Sequence, residues 1–145
     1  MSTSPSPGSI VLLTRLSRLV YKRATEDVLG MRLKAYVTLS NLREGPRSQQ
    51  DLCIAMHLDP NNCVLMLNDL ENEGYVERRR DPADRRRHIV EITPEGRRAL
   101  KRAEAALNGV EDQVLGPLSP QERETLRSLL ARAVAGDPAE QSVLA

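Results

Sequence analysis

Aromatic residues are almost absent from this chain of 145 residues, which has no Trp, no Phe and only three Tyr. Aliphatic side chains must therefore build the core of a chain that is 40% hydrophobic. A single domain of this length buries about two-thirds of the surface that its unfolded form exposes. The lack of aromatic rings argues against base-stacking platforms and aromatic cages as the mode of recognition.

Long hydrophobic runs and cysteine clusters are missing as well. No apolar run is longer than the one at residues 63–67. Such a run falls far short of the roughly 20 residues that span a bilayer. Residues 1–9 lack the positive charge that opens a signal peptide, so we expect a cytoplasmic protein with no membrane partner. Two cysteines, Cys53 and Cys63, cannot form a disulfide framework, and we expect free thiols packed as small hydrophobic side chains. No Cys or His pair has metal-ligand spacing, so we expect neither a metal nor a cofactor.

The net charge of +1 conceals a strong segregation of charge along the chain. Residues 1–58 carry +4, residues 59–74 carry −4, residues 75–102 carry +5 and residues 103–145 carry −4. Six arginines fall within the ten residues 78–87, and few carboxylates lie close to them in sequence. The cluster is either a solvated charged surface or a site for an external polyanion, which binds clustered guanidinium groups through bidentate bonds and counterion release.

The spacing of apolar residues predicts a mainly α fold with a small β-hairpin, in the order ααααββαα. The first helix should run from Ile10 to about Val28. Later helices are marked by residues that cap or break them. We expect a second helix from Leu33 that stops at Gly45-Pro46, a third from Ser48 to His57, a fourth capped by Asp59 and ended by Gly74, a hairpin over residues 75–93 with its tip near Ala83, and two helices capped by Thr93 and Ser119.

The domain organisation follows from the same patterns. Residues 1–9 contain almost only Ser, Thr, Pro and Gly, so we expect a disordered leader. Residues 10–135 should form one domain, and residues 136–145 a frayed tail.

Several motifs together carry a resemblance to a known family. Residues 70–74 read Leu-Glu-Asn-Glu-Gly, and residues 81–86 read Asp-Pro-Ala-Asp-Arg-Arg. Before these motifs, residues 52–60 combine a predicted short helix with the pair Asp59-Pro60. After them, residues 92–96 read Ile-Thr-Pro-Glu-Gly. From about Leu13 to Val134 the chain resembles the MarR family of bacterial winged-helix transcription regulators.

The resemblance implies a winged helix-turn-helix and no enzymatic activity. Residues 30–93 would form a DNA-binding lobe, and residues 10–28 and 94–135 would be dimerisation helices that interlock in a homodimer. The partner of this homodimer would be double-stranded DNA carrying an inverted repeat, with half-sites about 10 base pairs apart. Such regulators are commonly repressors relieved by a small aromatic or anionic ligand. The alternative is the same fold with weakened DNA binding, acting through protein–protein contacts.

The fourth helix should read bases through its outward positions. Asn61 and Asn62 suit base edges, because an Asn amide can bond adenine bidentately. Where the family usually shows small hydroxyl residues and often an arginine, this chain has these two asparagines and Leu65. The predicted base-reading residues are Asn61, Asn62, Val64, Leu65 and Asn68. Val64 and Leu65 either pack against thymine methyl groups or belong to the core.

Other predicted contacts are made with the DNA backbone and the minor groove. Ser48 and Gln49 open the third helix, where free N–H groups favour a phosphate. Ordinary capping without a DNA contact is the alternative for Ser48. The resemblance implies that Asp84 pairs with an arginine to stiffen the wing while Arg86 enters the minor groove. The remaining predicted contacts of the wing are Arg80, Arg85 and Arg87, of which Arg85 or Arg87 could replace Arg86.

The same resemblance suggests where a ligand would bind. Arg15, Arg18, Tyr21 and Tyr36 could line a site between the dimerisation helices and the DNA-binding lobe. They are equally explained as a solvated helix face plus two packed tyrosines.

Overall fold

The computed structural model describes residues 6–139, in which helices dominate and three short strands form one small sheet. The mainly helical fold predicted from the sequence is confirmed. The elements are α1 (Ser9–Arg23), α2 (Glu26–Leu29), α3 (Leu33–Ser40), β1 (Arg47–Ser48), α4 (Gln49–Ala55), α5 (Pro60–Asn72), β2 (Val76–Arg80), β3 (His88–Ile92), α6 (Pro94–Val114) and α7 (Pro120–Ala135).

The first helix is shorter than predicted. The chain leaves helical geometry at Ala24 and takes an extended conformation at Thr25, which precedes the separate short helix α2. This break turns the side chains of Ala24 and Leu29 into the core, where both are buried. Burial of two apolar side chains thus overrides the continuous helical pattern of residues 10–28.

The later helices begin where their capping residues predict. The Ser48 hydroxyl accepts a hydrogen bond from the backbone N–H of Asp51 at 3.1 Å. In the same way Asp59 caps α5, Thr93 caps α6, and Ser119 forms a reciprocal capping box with Glu122. Each cap satisfies a backbone donor that the first turn of a helix leaves unpaired. The helix starts are therefore the part of the fold that local sequence determines most directly.

The sheet contains the predicted hairpin and one strand that the sequence did not reveal. β2 pairs antiparallel with β3, with Arg78 opposite Val90, and residues 81–87 connect the two strands. β1 pairs with the other edge of β3 through Arg47 and Ser48. Two residues are too few to show the alternation by which strands are detected. We call residues 76–92, the hairpin with its connecting loop, the wing.

One apolar cluster forms the core, and neither terminal helix contributes a buried residue to it. Its largest fully buried apolar side chains come from the helices α3 to α5, the segment after α3, and the sheet: Leu39, Leu42, Leu52, Leu67, Val76 and Val90. α1 and α7 contain no buried residue, although their sequences are rich in leucine. Their apolar faces remain open to solvent in the single chain.

The expectation of two free thiols is wrong, because Cys53 and Cys63 are joined in a disulfide. Both cysteines lie on inward stripes, as predicted, but on two helices that face one another across the helix-turn-helix. Their Cα atoms are 5.8 Å apart, which is a normal disulfide spacing. The number of cysteines in the sequence could not reveal that a tertiary contact brings this pair together.

The predicted leader and tail lie partly outside the described residues. The structure does not describe residues 1–5 and 140–145. Ser9, which was assigned to the leader, already begins α1. In the predicted tail, Asp137 Oδ2 lies 2.6 Å from His57 Nε2, next to the turn between α4 and α5. None of the helices within residues 6–139 is long and apolar enough to cross a membrane.

Candidate nucleic-acid interface

α5 forms a ridge between two open clefts. The inward side of the helix carries Cys63, Leu67 and Leu70, all buried. A cleft of about 450 Å³ separates α5 from the wing, and one of about 750 Å³ separates it from the start of α3. A helix with open space on both flanks can enter a groove of a duplex.

The wing-side cleft brings together residues that lie far apart in sequence. Predicted DNA contacts from β1, α4, α5 and the wing line it: Ser48, Gln49, Val64, Arg86 and Arg87. The cleft on the other side is lined by Asn62 and Leu65 among others. The structure thus places most of the predicted site around one helix, with the wing as its neighbour.

The two apolar candidates on α5 lie at the surface. Val64 is 37% exposed and Leu65 is 61% exposed. The alternative that they belong to the core is therefore wrong. An exposed leucine and valine beside two asparagines can pack against thymine methyl groups while amides reach the base edges.

Asn62 is held in place by the residue that caps its helix. Asp59 Oδ1 accepts from the backbone N–H of Asn62 at 3.0 Å, and Asp59 Oδ2 accepts from the Asn62 side-chain amide at 2.6 Å. The remaining amide N–H and the amide oxygen of Asn62 can still bond one adenine, which needs a donor and an acceptor side by side. Asn61, its neighbour in the first turn, is exposed.

Asn68 is only half exposed, because an arginine of β2 covers it. Arg78 Nη2 donates to Asn68 Oδ1 at 2.5 Å and to Glu71 Oε1 at 3.1 Å. From the sequence, Arg78 is only one member of the arginine cluster 78–87, with no individual role. Alternation along β2 is the signal that could have found it, because Arg78 lies two residues after the buried Val76 and so on the inward face of the strand.

The other arginines of the wing are partly paired. Arg79 bonds Glu91 at 2.9 Å on the outer face of the hairpin. Arg87 lies 3.9 Å from Asp51 of α4, and Arg80 donates to the carbonyl oxygen of exposed Arg85 at 2.7 Å. Carboxylates distant in sequence, on α4 and α5, therefore neutralise more of the cluster than its local sequence indicates. Ion pairs this exposed contribute only about 0–1 kcal/mol, so a phosphate can replace the carboxylate.

Asp84 pairs with an arginine as expected, and that arginine is Arg86. The carboxylate accepts from the Arg86 backbone N–H at 3.1 Å and from Nε at 3.3 Å. The Arg86 side chain is nevertheless 93% exposed. Asp84, which was predicted to stiffen the wing, thus holds Arg86, which was predicted to enter the minor groove. The outer N–H groups of Arg86 face solvent.

The start of α4 is closer to an ordinary cap than to an open phosphate site. Ser48 is buried, and its hydroxyl oxygen is engaged with Asp51. Gln49 is half-buried beside the wing-side cleft.

A second cavity of about 750 Å³ lies between α3 and the helices α1, α6 and α7. Of the four predicted ligand residues, Tyr36 lines it, whereas Arg15, Arg18 and Tyr21 are exposed on α1 away from it. Its apolar lining comes from α1, α6 and α7, and its charged lining residues are Lys101, which was not among the predicted ligand residues, and the carboxylates Glu104 and Glu111. Among residues 6–139, no group of His, Cys, Asp and Glu could hold a metal ion.

The contact between Glu71 and Arg78 can be tested by titration. The hydrogen bond from Arg78 lowers the pKa of Glu71 below its ordinary value of 4.5, against a smaller opposing effect of burial. A lowered pKa means that the ion pair stabilises the fold above the ordinary pKa and is lost as the pH falls through the lowered one. A carboxyl NMR titration should show a low Glu71 pKa that Arg78→Gln raises. An unchanged value in that variant would contradict the contact.

Comparison with known proteins places the chain in a family. The sequence model of the MarR family matches residues 33–88. A putative transcriptional regulatory protein for the hcr operon of Thauera aromatica is 40% identical over 85 residues, which cover 59% of this chain and 51% of that protein. The chain therefore spans only about half the length of this curated relative. The crystal structure of a probable transcriptional regulator from Pseudomonas aeruginosa is 31% identical, with a TM-score of 0.73 over 86% of this chain and 96% of that one.

A further relative has been solved with bound partners. CouR from Rhodococcus jostii RHA1, bound to p-coumaroyl-CoA, is 26% identical with a TM-score of 0.75, over 94% of this chain and 98% of that one. The repressor CouR bound to a 23-mer DNA duplex is 27% identical with a TM-score of 0.74, over 90% of this chain and 99% of that one. The folded region thus matches these structures almost from end to end. The chain belongs to the MarR family, a family of transcriptional regulators and not of enzymes.

Proposed function

We propose that this protein is a dimeric, sequence-specific DNA-binding repressor. A small ligand weakens its DNA binding and so relieves repression. α5 enters the major groove, and the tip of the wing enters the adjacent minor groove. The observation that carries the proposal is the placement of exposed Arg86 beside the exposed side of α5, across one open cleft. CouR, which is similar over nearly its whole length, is a repressor solved with a DNA duplex.

The distribution of charge sets which end of α5 approaches the duplex. Asp69, Glu71 and Glu73 lie near its C-terminal end, whereas Asn61 and Asn62 occupy the first turn. Carboxylates near phosphates are repelled, and an N-terminal helix end is favoured by the helix dipole. The first turn of the helix therefore approaches the base edges most closely, and the carboxylates of the acidic end are kept away from the phosphate backbone.

The exposed apolar faces of α1 and α7 support the dimer. Large side chains on both helices are open to solvent in the single chain: Ile10, Val11, Leu12, Leu13, Leu129, Leu130 and Val134. Apolar surface of this extent is rarely left exposed on a monomer. A second copy would cover it and would set two reading helices on one face of DNA, about 10 base pairs apart.

The cavity lined by Tyr36 and Lys101 supports the ligand. It lies where α1, α3, α6 and α7 approach one another, between the terminal helices and the lobe that carries α5. A ligand with an apolar ring would contact its leucines, and an anionic group would meet Lys101. CouR has been solved with p-coumaroyl-CoA, which is both aromatic and anionic. Binding between the two parts of the fold would change the spacing of the reading helices.

The second candidate is a regulator that acts through a protein partner. The exposure of Leu65 favours it, because a leucine forms no hydrogen bond with a base edge. Titration against pooled genomic fragments at several salt concentrations separates the two. DNA binding should weaken steeply with salt, by a slope of roughly −0.9 for each neutralised phosphate, and should select an inverted repeat. Retention that does not depend on salt would reject DNA binding.

Two substitutions separate the minor-groove contact of the wing from base reading by α5. Arg86→Ala should lower the affinity for every sequence about tenfold and reduce the salt slope by about one. Asn62→Ala should instead cost roughly 1–3 kcal/mol of discrimination at one base position. Arg43→Ala is the control, because it removes an exposed arginine that pairs with Glu104 away from α5. Equal and negligible effects of the first two substitutions would overturn the residue roles.

A further inference from the structure

We propose that Arg78 determines part of the base preference of the reading helix, by fixing the side-chain amide of Asn68 as a hydrogen-bond donor. The inference rests on the proposed function, because it requires the outward side of α5 to meet base edges. Arg78 itself need not touch DNA. It acts as a positioning residue on the neighbouring strand, and Asn68 makes the contact.

Asn68 belongs to the outward stripe of α5, which we define as Asn61, Leu65 and Asn68. These positions are separated by four and three residues, so they follow one another along a single helix face. Leu65 in the middle of the stripe is among the most exposed apolar side chains of the protein. A duplex that contacts Asn61 and Leu65 therefore passes within reach of Asn68.

The bond from Arg78 settles which way the Asn68 amide points. A guanidinium has donors and no acceptor, so it can bond an amide only through its oxygen. The oxygen of Asn68 therefore faces Arg78 at 2.5 Å, and the NH₂ group is left for other partners. Rotating the amide by 180° would place two donors against each other.

Arg78 is itself held tightly enough to impose this orientation. Besides the bond to Asn68, its Nη2 and Nε contact the two carboxylate oxygens of Glu71 at 3.1 and 3.5 Å, and its backbone N–H donates to Oε2 at 3.2 Å. Pairing with Val90 fixes its position on the strand. Its side chain is only 19% exposed, whereas that of Arg86 is 93% exposed. The guanidinium is thus part of the junction between α5 and the wing.

A donor amide next to a cation selects among the bases. In the major groove, guanine offers the two acceptors N7 and O6 and thymine offers O4, whereas adenine offers N7 beside a donor amino group and cytosine offers only a donor amino group. Bidentate recognition of adenine by Asn needs the amide oxygen as acceptor, and here a positive charge engages that oxygen. Asn68 should therefore favour guanine or thymine. Asn62 differs, because its amide nitrogen bonds Asp59 and its oxygen remains available for adenine.

The test measures base preference and not affinity alone. The wild-type protein selects its preferred duplex from a random library, and Asn68→Ala identifies the base pair at which discrimination is lost. At that position the wild type should prefer guanine or thymine to adenine or cytosine roughly 5- to 10-fold. Arg78→Gln should reduce this preference to less than about 2-fold, because the amide becomes free to rotate. Arg79→Gln is the matched control: it removes the same charge from the adjacent residue, which faces away from α5 and bonds Glu91.

Several results would overturn the inference while leaving DNA binding intact. One is a wild-type preference for adenine or cytosine at that position. Another is an Arg78→Gln variant that loses affinity uniformly, as Arg79→Gln does, and keeps its preference. If Arg78→Gln does not fold, Asn68→Asp decides, because a carboxylate can only accept and should move the preference to cytosine or adenine. A wild-type protein that selects no duplex would reject the proposed function and this inference with it.

Discussion

Leu129→Asp should convert the protein into a monomer and lower its affinity for the full inverted repeat by roughly 100-fold or more. Leu129 lies on α7, is 54% exposed in the single chain, and does not line the ligand cavity. The substitution should therefore leave the fold of one chain intact while it places a charge in an apolar interface, where desolvation is costly. A monomer binds only one half-site and loses the gain from linking two.

Ser128→Asp provides the control for this effect. Ser128 comes directly before Leu129 in the same helix. At about 100° per residue it lies opposite Leu126 and Leu130. It should remain dimeric and bind the repeat normally. Light scattering combined with size-exclusion chromatography gives the mass of each variant, and a fluorescence titration gives its affinity. A dimeric Leu129→Asp variant with unchanged affinity would contradict the interface proposed for α7.

Gly96→Ala should destabilise the fold by about 2–3 kcal/mol, because the added methyl group has no space. A Cβ atom at this position would overlap the carbonyl oxygen of Tyr75 and lie 2.8 Å from Ile92 Cγ1. The same carbonyl oxygen accepts from the backbone N–H of Thr93 at 3.0 Å, at the junction of sheet and α6. The strand that carries Arg78 begins next to this junction.

Gly109→Ala tests the same substitution in the same helix where space is open. No atom lies within 4 Å of a Cβ at Gly109, so the change should stabilise α6 by about 0.5–1 kcal/mol. Urea unfolding at one fixed protein concentration compares both variants with the wild type, because the stability of a dimer depends on concentration. Equal shifts in the two variants would show that the approach of Tyr75 to Gly96 is not close.

Local sequence predicts the helix-turn-helix well, because its determinants lie within a few residues of one another. Ser48 and Asp59 mark the starts of α4 and α5 through hydrogen bonds that span three residues, and Pro60 occupies the first position of α5. The Asp-Pro turn and the β-branched residues of β3 likewise identify the wing. The bond between Asp84 and Arg86 is also short in range, and the family resemblance anticipates it.

Contacts between distant segments could not be predicted in this way. Arg78 meets Glu71 and Asn68 only because the sheet brings β2 against α5, and Cys53 meets Cys63 only because α4 crosses α5. The break between α1 and α2 also depends on tertiary burial. Sequence patterns therefore predict which residues surround the duplex, but not which of them are already engaged within the protein.

Methylation of a bound duplex by dimethyl sulfate reports on both grooves at once, because the reagent attacks guanine N7 in the major groove and adenine N3 in the minor groove. In a duplex that carries guanines in both half-sites, we expect two regions of guanine protection about 10 base pairs apart, together with adenine protection at neighbouring minor-groove positions. Arg86→Ala should abolish the adenine protection and retain the guanine protection. Absence of guanine protection in a duplex that carries guanines in both half-sites, or adenine protection that survives Arg86→Ala, would contradict a reading helix in the major groove with the wing in the minor groove.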